Sequence, residues 1–209
     1  RADARAAEEA DRARGADETA ALRLSRIAAF ALQCRTRRNR LRGRGLEVQI
    51  RKLERHEIRD IWSIDRAEVV DRVYYREGNE LVLKSEHHDV KGWPPGEPER
   101  NGPILLDCFD HGSTFVGAFD GKTLIGVMVL ESRFIGRERD QLQLKFLHVS
   151  RRHRGAGVGC ALFDKAVAEA RVLGARRLYI SATPSENTVR FYLGRGCRVT
   201  EDIDATLFA

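Results

Sequence analysis

Residues 142–182 follow the order strand, glycine-rich turn, long helix, strand, and this order constrains the fold of the 209-residue chain more than any other feature. Residues 142–149 and 177–182 are short apolar segments, which is typical of buried strands. Between them, residues 157–173 carry apolar side chains at helical spacing, and Gly174 ends that pattern. The segment therefore predicts an alternating α/β domain.

Further patterns on the N-terminal and C-terminal sides extend this domain. Asp120-Gly121 separates two apolar runs and predicts a β-hairpin over 113–134. The other predicted elements are a strand at 46–53, a helix with a break at 57–73, a short strand at 81–83, a proline-rich loop at 88–103, a short helix at 104–109 and a helix at 186–195.

The excess of basic charge lies entirely before residue 46. Residues 1–45 contain twelve arginines and six acidic residues, which accounts for the whole net charge of +6. We therefore expect an arginine-rich tail at 1–45, disordered or loosely helical, and a folded domain at 46–209. Contact between the tail and nucleic acid is the less favoured alternative, and the neutral domain itself gives no argument for nucleic-acid binding.

The cysteines and the apolar runs indicate the compartment. Four cysteines at irregular spacing fit neither a disulfide framework nor a zinc ribbon, and no run is long enough to span a membrane. These features predict a cytoplasmic protein with no metal. Because the chain lacks an initial methionine, we expect a processed or truncated product. The chain ends 17 residues after Tyr192, so we also expect its final strand to be short or missing.

The chemistry is predicted to lie in the turn before the long helix. The unpaired N–H groups at a helix start and the absence of Cβ atoms in glycines make such a turn a seat for phosphate groups. No lysine follows the glycines, as a P-loop needs, and Cys160 stands at the third glycine position of a dinucleotide fingerprint. Arg154, Gly157 and Gly159 instead match the pattern [RQ]-x-x-G-x-[GA].

That pattern and its surroundings resemble the GCN5-related N-acetyltransferases, the GNAT superfamily. In this family an L-x-V strand end precedes the loop, and an asparagine, an aromatic–tyrosine pair and a helix-ending glycine follow it. The matching residues are Leu147 and Val149, Asn187, Phe191-Tyr192, and Gly196. The resemblance implies a mixed, mainly antiparallel sheet with helices on both faces, in which the fourth and fifth strands (142–149 and 177–182) splay apart.

The resemblance also implies acetyl-CoA as cofactor. Its pantetheine arm would lie between the splayed strands like an added strand, and its pyrophosphate would lie on the glycine loop. The residues implied to bind it are Leu147, His148, Val149, Arg154, Gly155, Ala156, Gly157, Val158, Gly159, Asn187 and Tyr192.

The catalytic groups follow partly from the family and partly from this chain. Tyr192 is expected to donate a proton to the departing thiolate. Gln143 stands where some members place a general-base glutamate, and an amide cannot take that proton. Glu131 is our candidate for the base. His148 is a further candidate for the base, but alternation places it on the strand face opposite Gln143, unless the strand bulges.

We therefore predict an acetyl-CoA-dependent N-acetyltransferase that transfers acetyl to a primary amine, in a small molecule or a protein, by direct attack. The alternative is a non-catalytic acyl-CoA-binding or RNA-associated protein on the same fold. Neither the acceptor nor the oligomeric state follows from the sequence, because one fold serves many acceptors.

Overall fold

The computed structural model describes residues 31–35, 48–78 and 80–201. Its strands are β1 Ala31–Arg35, β2 Gln49–Lys52, β3 Glu68–Glu77, β4 Glu80–Val90, β5 Thr114–Asp120, β6 Thr123–Ile135, β7 Gln141–Val149, β8 Arg177–Ser181 and β9 Arg198–Val199. Its α-helices are α1 Glu97–Asp110, α2 Val158–Val172 and α3 Glu186–Gly194, and 3₁₀ helices span Arg55–Ser63 and Arg151–His153.

Seven strands form one sheet in the order β2-β5-β6-β7-β8-β1-β9, while β3 and β4 form a separate two-stranded sheet. Each neighbouring pair in the large sheet is antiparallel except β7 and β8, which are parallel. A parallel pair needs a long crossover, and α2 supplies it. The predicted mixed, mainly antiparallel sheet is confirmed.

The core lies on both faces of this sheet, because the long strands β5 and β6 are buried on each side. Met128 and Leu130 pack with α2 and α3 on one face, whereas Val127 and Val129 pack with α1 and the 3₁₀ helix Arg55–Ser63 on the other. The predicted helices on both faces are confirmed. No described helix combines the length and apolar character that crossing a bilayer requires.

A β-bulge interrupts the middle of β7. Val129 pairs with Phe146, but the next residue of β6, Leu130, pairs with Leu144, so Lys145 is an extra residue in β7. One extra residue reverses the alternation of side chains along a strand. Phe146 accordingly packs toward the α1 face, whereas Leu144 and Leu147 both pack toward the α2 face.

Residues 31–35 contradict the predicted tail. They form β1, which pairs with β8 on one side and with β9 on the other. Leu32 and Cys34 alternate with Gln33 and are buried, so this short segment has strand periodicity that the surrounding arginines obscure. The prediction of a disordered or loosely helical tail is wrong for these five residues, and the rest of 1–45 lies outside the described residues.

The region between β2 and β5 also differs from its prediction. In place of the first half of the helix expected at 57–73, the structure has a 3₁₀ helix that ends at Ser63. The second half of the expected helix is part of β3. Its valines at positions 69, 70 and 73 have helical spacing, but a register shift after Val70 explains why a strand shows that spacing. The expected loop at 88–103 is largely β4 and α1, since Pro98 lies in the first turn of α1, where proline is tolerated.

The tight packing around Gly117 gives a first prediction. A Cβ atom at Gly117 would lie 2.6 Å from Leu53 Cδ2, 2.7 Å from Phe119 Cε2 and 2.8 Å from Leu124 Cδ1. Gly117→Ala should therefore destabilise the protein by about 1–3 kcal/mol, as overpacking does. Gly194→Ala is the control, because its Cβ would meet no atom within 4 Å in a helix where alanine is favoured. Chemical denaturation measures both, and equal stabilities would contradict the prediction.

Candidate functional site

The central feature of the site is a gap between β7 and β8. The two strands pair only from Gln141 to Gln143, opposite Arg177 to Tyr179, and then separate. Beyond that point lies a cleft of about 310 Å³. Its walls are residues 144–148 of β7, residues 181–183 at the end of β8, Thr188 and Tyr192 of α3, and Arg154. The cleft is covered by Arg66, Glu68, Val70, Val90, Trp93, Pro94 and Glu97.

The glycine-rich turn lies between the end of β7 and α2. Gly155 and Gly157 have φ angles of 77° and 89°, which L side chains rarely adopt. A Cβ atom at either position would meet nothing within 4 Å, so the surface above them is open. Gly157 is the N-cap of α2, whose first N–H groups have no intrahelical acceptor. The turn therefore presents backbone donors to an open surface, which suits an anionic ligand.

Arg154 is held by the protein's own carbonyl groups. Its Nε donates to the carbonyl of Val149 at 3.0 Å, and its Nη1 donates to the carbonyl of Ala67 at 3.2 Å and lies 3.6 Å from Glu68 Oε2. Arg154 thus connects the end of β7 to the start of β3. Its charge lies at the cleft, as expected, but the side chain is tied to the fold instead of extending freely over the glycine turn.

Glu68 joins two of the predicted cofactor residues, and the sequence analysis missed it. Its Oε1 accepts a hydrogen bond from Asn187 Nδ2 at 3.1 Å, while Oε2 faces Arg154. The residues lie 86 and 119 positions from Glu68 in the chain. No local pattern signals such contacts, because hairpin β3–β4 creates them by folding over α3.

Tyr192 of α3 lies at the wall of the cleft. It is 6% exposed, lines the cleft, and packs its ring against Phe163 and Phe191. Burial raises the pKa of the Tyr192 hydroxyl above its ordinary value, and Cys197 adds to the effect. The hydroxyl is therefore protonated at neutral pH and available as a donor.

His148 lies on the cleft face because of the bulge at Lys145. Its ring contacts Trp93 and Phe146 at centroid distances of 5.0 and 5.3 Å. Burial, together with the charges of Arg66 and Arg154, lowers the pKa of His148 to about 3. The imidazole is therefore neutral at physiological pH and a weak proton acceptor. The expected placement opposite Gln143 holds only for an unbulged strand and is wrong here.

The other predicted proton acceptor, Glu131, lies next to the cleft. Its Oε1 accepts a hydrogen bond from Lys145 Nζ at 2.5 Å, and Cys108 Sγ lies 3.8 Å away. Glu131 is not among the residues that line the cleft, although Lys145 is. Gln143 Oε1 is buried without a hydrogen-bond partner among the described residues. The carboxylates that do line the cleft, within the described residues, are Glu68 and Glu97.

Within the part of the chain that the structure describes, no group of three His, Cys, Asp or Glu side chains lies close enough together to hold a metal ion.

Comparisons with known proteins agree with this geometry. A search of curated proteins gave no significant match. Among solved structures, a nourseothricin acetyltransferase is 21% identical with a TM-score of 0.54, over 71% of this chain and 81% of its own. A Bacillus anthracis protein assigned as a streptothricin acetyltransferase, solved with acetyl coenzyme A, is 16% identical with a TM-score of 0.56, over 72% and 83%.

At these identities the solved structures establish the fold alone. The sequence profile of the Acetyltransferase (GNAT) family matches residues 79–196, which is more than half of the chain. This range contains the glycine-rich turn, both splayed strands and Tyr192. The chain belongs to the GNAT acetyltransferase family.

Proposed function

We propose that the protein transfers acetyl from acetyl-CoA to a primary amine by direct attack. The observation that carries this proposal is the separation of β7 from β8 beyond Gln143, with Tyr192 and Arg154, the residue before the glycine turn, in the lining of the cleft. The pantetheine arm of CoA is an extended chain with two amides, and such a chain fits between two neighbouring strands that no longer pair with each other.

Acetyl-CoA would supply an activated acyl group as a thioester. Alternate N–H groups of a strand point to opposite neighbours, so those of β7 that point toward β8 after Gln143 have no strand to bind. These donors, near Leu147 and Val149, would hold the pantetheine amides and the acyl oxygen. The N–H groups of 155–159 would hold the pyrophosphate, and Asn187, held by Glu68, would face the same ligand.

The chain's own side chains limit how protons move. Tyr192 is protonated and would donate to the departing sulfur. His148 is a weak base because of its low pKa, and the carboxylate of Glu131 already accepts a hydrogen bond from Lys145. We therefore propose that the amine arrives neutral or loses its proton through water, with Glu131 as a side-chain relay beside the cleft.

A non-catalytic acyl-CoA-binding or RNA-associated protein remains the competing proposal. Such a protein needs no hydroxyl at Tyr192, so the catalytic tests below distinguish the two. The cytoplasmic location also stays a prediction, which rests on the cysteine pattern.

The role of Tyr192 is tested by Tyr192→Phe, which keeps the ring packing and removes the hydroxyl. General acid catalysis is worth about 10²–10⁴-fold, so kcat should fall by that factor. Calorimetry should show nearly unchanged CoA affinity. A Phe variant with normal kcat, measured where chemistry limits the rate, would reduce Tyr192 to a packing residue.

The glycine turn is tested by Gly157→Ala and Gly157→Val. A side chain there would enter the open surface proposed for the pyrophosphate, and CoA affinity should fall by at least about tenfold. Gly174→Ala is the matched control: its φ of 91° imposes similar backbone strain and its Cβ also meets open space, but it lies at the other end of α2. Equal CoA affinities in all variants would remove the cofactor assignment.

The expected pH profile of kcat/KM follows from the shifted pKa values of His148 and Tyr192. With His148 neutral above about pH 4 and Tyr192 protonated to about pH 10, the titrating group at neutral pH is the amine. The value of kcat/KM should rise about tenfold per pH unit toward the amine's pKa, near 10 for a lysine-like acceptor. His148→Gln should keep the same profile. An inflection near pH 6–7 that disappears in this variant would show that His148 is the base.

A further inference from the structure

Arg66 is the charged side chain in the cleft whose charge no other described group neutralises by direct contact. It lines the cleft from the segment between the 3₁₀ helix Arg55–Ser63 and β3. The other charged side chains that line the cleft form ion pairs: Lys145 with Glu131 at 2.5 Å, Arg154 with Glu68 at 3.6 Å, and Glu97 with Arg100 at 3.4 Å. Among the described residues, no hydrogen bond or ion pair reaches the Arg66 guanidinium.

The guanidinium nevertheless has a defined position. Its Cζ lies 4.8 Å from the centre of the Trp93 ring. Trp93 is itself fixed, because its Nε1 donates to the carbonyl of Ile64 at 2.9 Å and its ring contacts Trp62 and His148. Stacking on an aromatic face leaves the N–H groups in the guanidinium plane free to bind a ligand.

Partial burial makes an unpaired guanidinium costly. Desolvation lowers the pKa of Arg66, and the charge of Arg154 lowers it as well, while Glu97 and Glu68 attract the guanidinium without direct contact. An arginine remains charged in this situation, so the cleft contains a cation that lacks a counter-ion. An anionic group on a ligand would supply one.

The position of Arg66 indicates which ligand that is. Arg66 lies on the covering side, next to His148, whereas the proposed pantetheine slot lies between β7 and β8. The anionic group therefore belongs to the acceptor, close to the point where its amine must attack. A planar guanidinium binds carboxylates through two parallel hydrogen bonds. The neighbouring Glu68 and Glu97 would disfavour a dianion such as phosphate more than a monoanion.

We propose that Arg66 binds the carboxylate of the acceptor, so that the acceptor is a small amino acid acetylated on its amine. This rests on the acetyl-transfer function proposed above, and it narrows that function from amines in general to amines that carry a carboxylate. It makes Arg66 a specificity-determining residue, and simple diamines poor acceptors.

The test compares acids with their neutral amides in a binding experiment that needs no turnover. Calorimetry is performed with N-acetylglycine, N-acetylalanine and N-acetylserine and with their carboxamides, with coenzyme A present and absent. The wild-type protein should bind at least one acid about 10- to 100-fold more tightly than its amide. Arg66→Gln should abolish the preference, and Arg66→Lys should restore part of it.

Arg59→Gln is the control variant, since Arg59 is an 81% exposed arginine on the nearby 3₁₀ helix with one loose contact to Asp60. It should behave as the wild type. Equal binding of acids and amides, a preference that survives Arg66→Gln, or tighter binding of an N-acetylaminophosphonate would each overturn the assignment.

Turnover of the matching free amino acids and amides then separates this inference from the proposed function. If no amine is acetylated but the acid preference depends on Arg66, acetyl transfer fails and the carboxylate site stands. If amides and diamines are acetylated as well as acids, acetyl transfer stands and the carboxylate site fails.

Discussion

The cleft between β7 and β8 depends on a single inserted residue in β7, Lys145. It reverses the side-chain alternation, so that Phe146 and His148 face the same side as the aromatic cover. Pairing with β8 ends just before it, after Gln143. Residues 144–148 of β7, which line the cleft and no longer pair with β8, lie at or next to this position. A bulge bends a strand and increases its local twist, which accounts for the separation of the two strands here.

The sequence predicted the elements that carry strong local patterns. The hairpin at Asp120-Gly121, the helix behind Gly157 and the two splayed strands were predicted close to their observed positions because turn residues and periodic apolar residues are local signals. Irregularities of strand pairing produced the main errors. The helix expected at 57–73 and the face assigned to His148 both failed because a register shift or a bulge alters the expected alternation, and such a shift depends on the partner strand.

The candidate site shows the same division between local and non-local information. The glycine turn and Tyr192 belong to a motif within one continuous stretch, so the sequence indicated them together. Glu68 and Arg66 come from a part of the chain more than 75 residues earlier. Hairpin β3–β4 brings Glu68 to Asn187, and stacking on Trp93 holds Arg66 at the cleft, so both placements depend on tertiary contacts. Strand β1 was missed for a related reason, since its partners β8 and β9 are distant in sequence.

Hairpin β3–β4 contacts the α3 end of the domain from outside the seven-stranded sheet. Tyr74 N donates to Pro184 O at 2.8 Å, Val73 forms a β-bridge with Ser185, and Arg72 pairs with Glu186 at 2.8 Å. Arg76 contacts Thr200 and Glu201, and Glu68 contacts Asn187 and Arg154. A two-stranded unit at the periphery opens at a lower free-energy cost than the seven-stranded sheet. Each opening also releases Asn187 and Arg154 from Glu68. A ligand that binds only when these side chains are in place would therefore slow amide hydrogen exchange along the whole hairpin, including the residues that do not line the cleft.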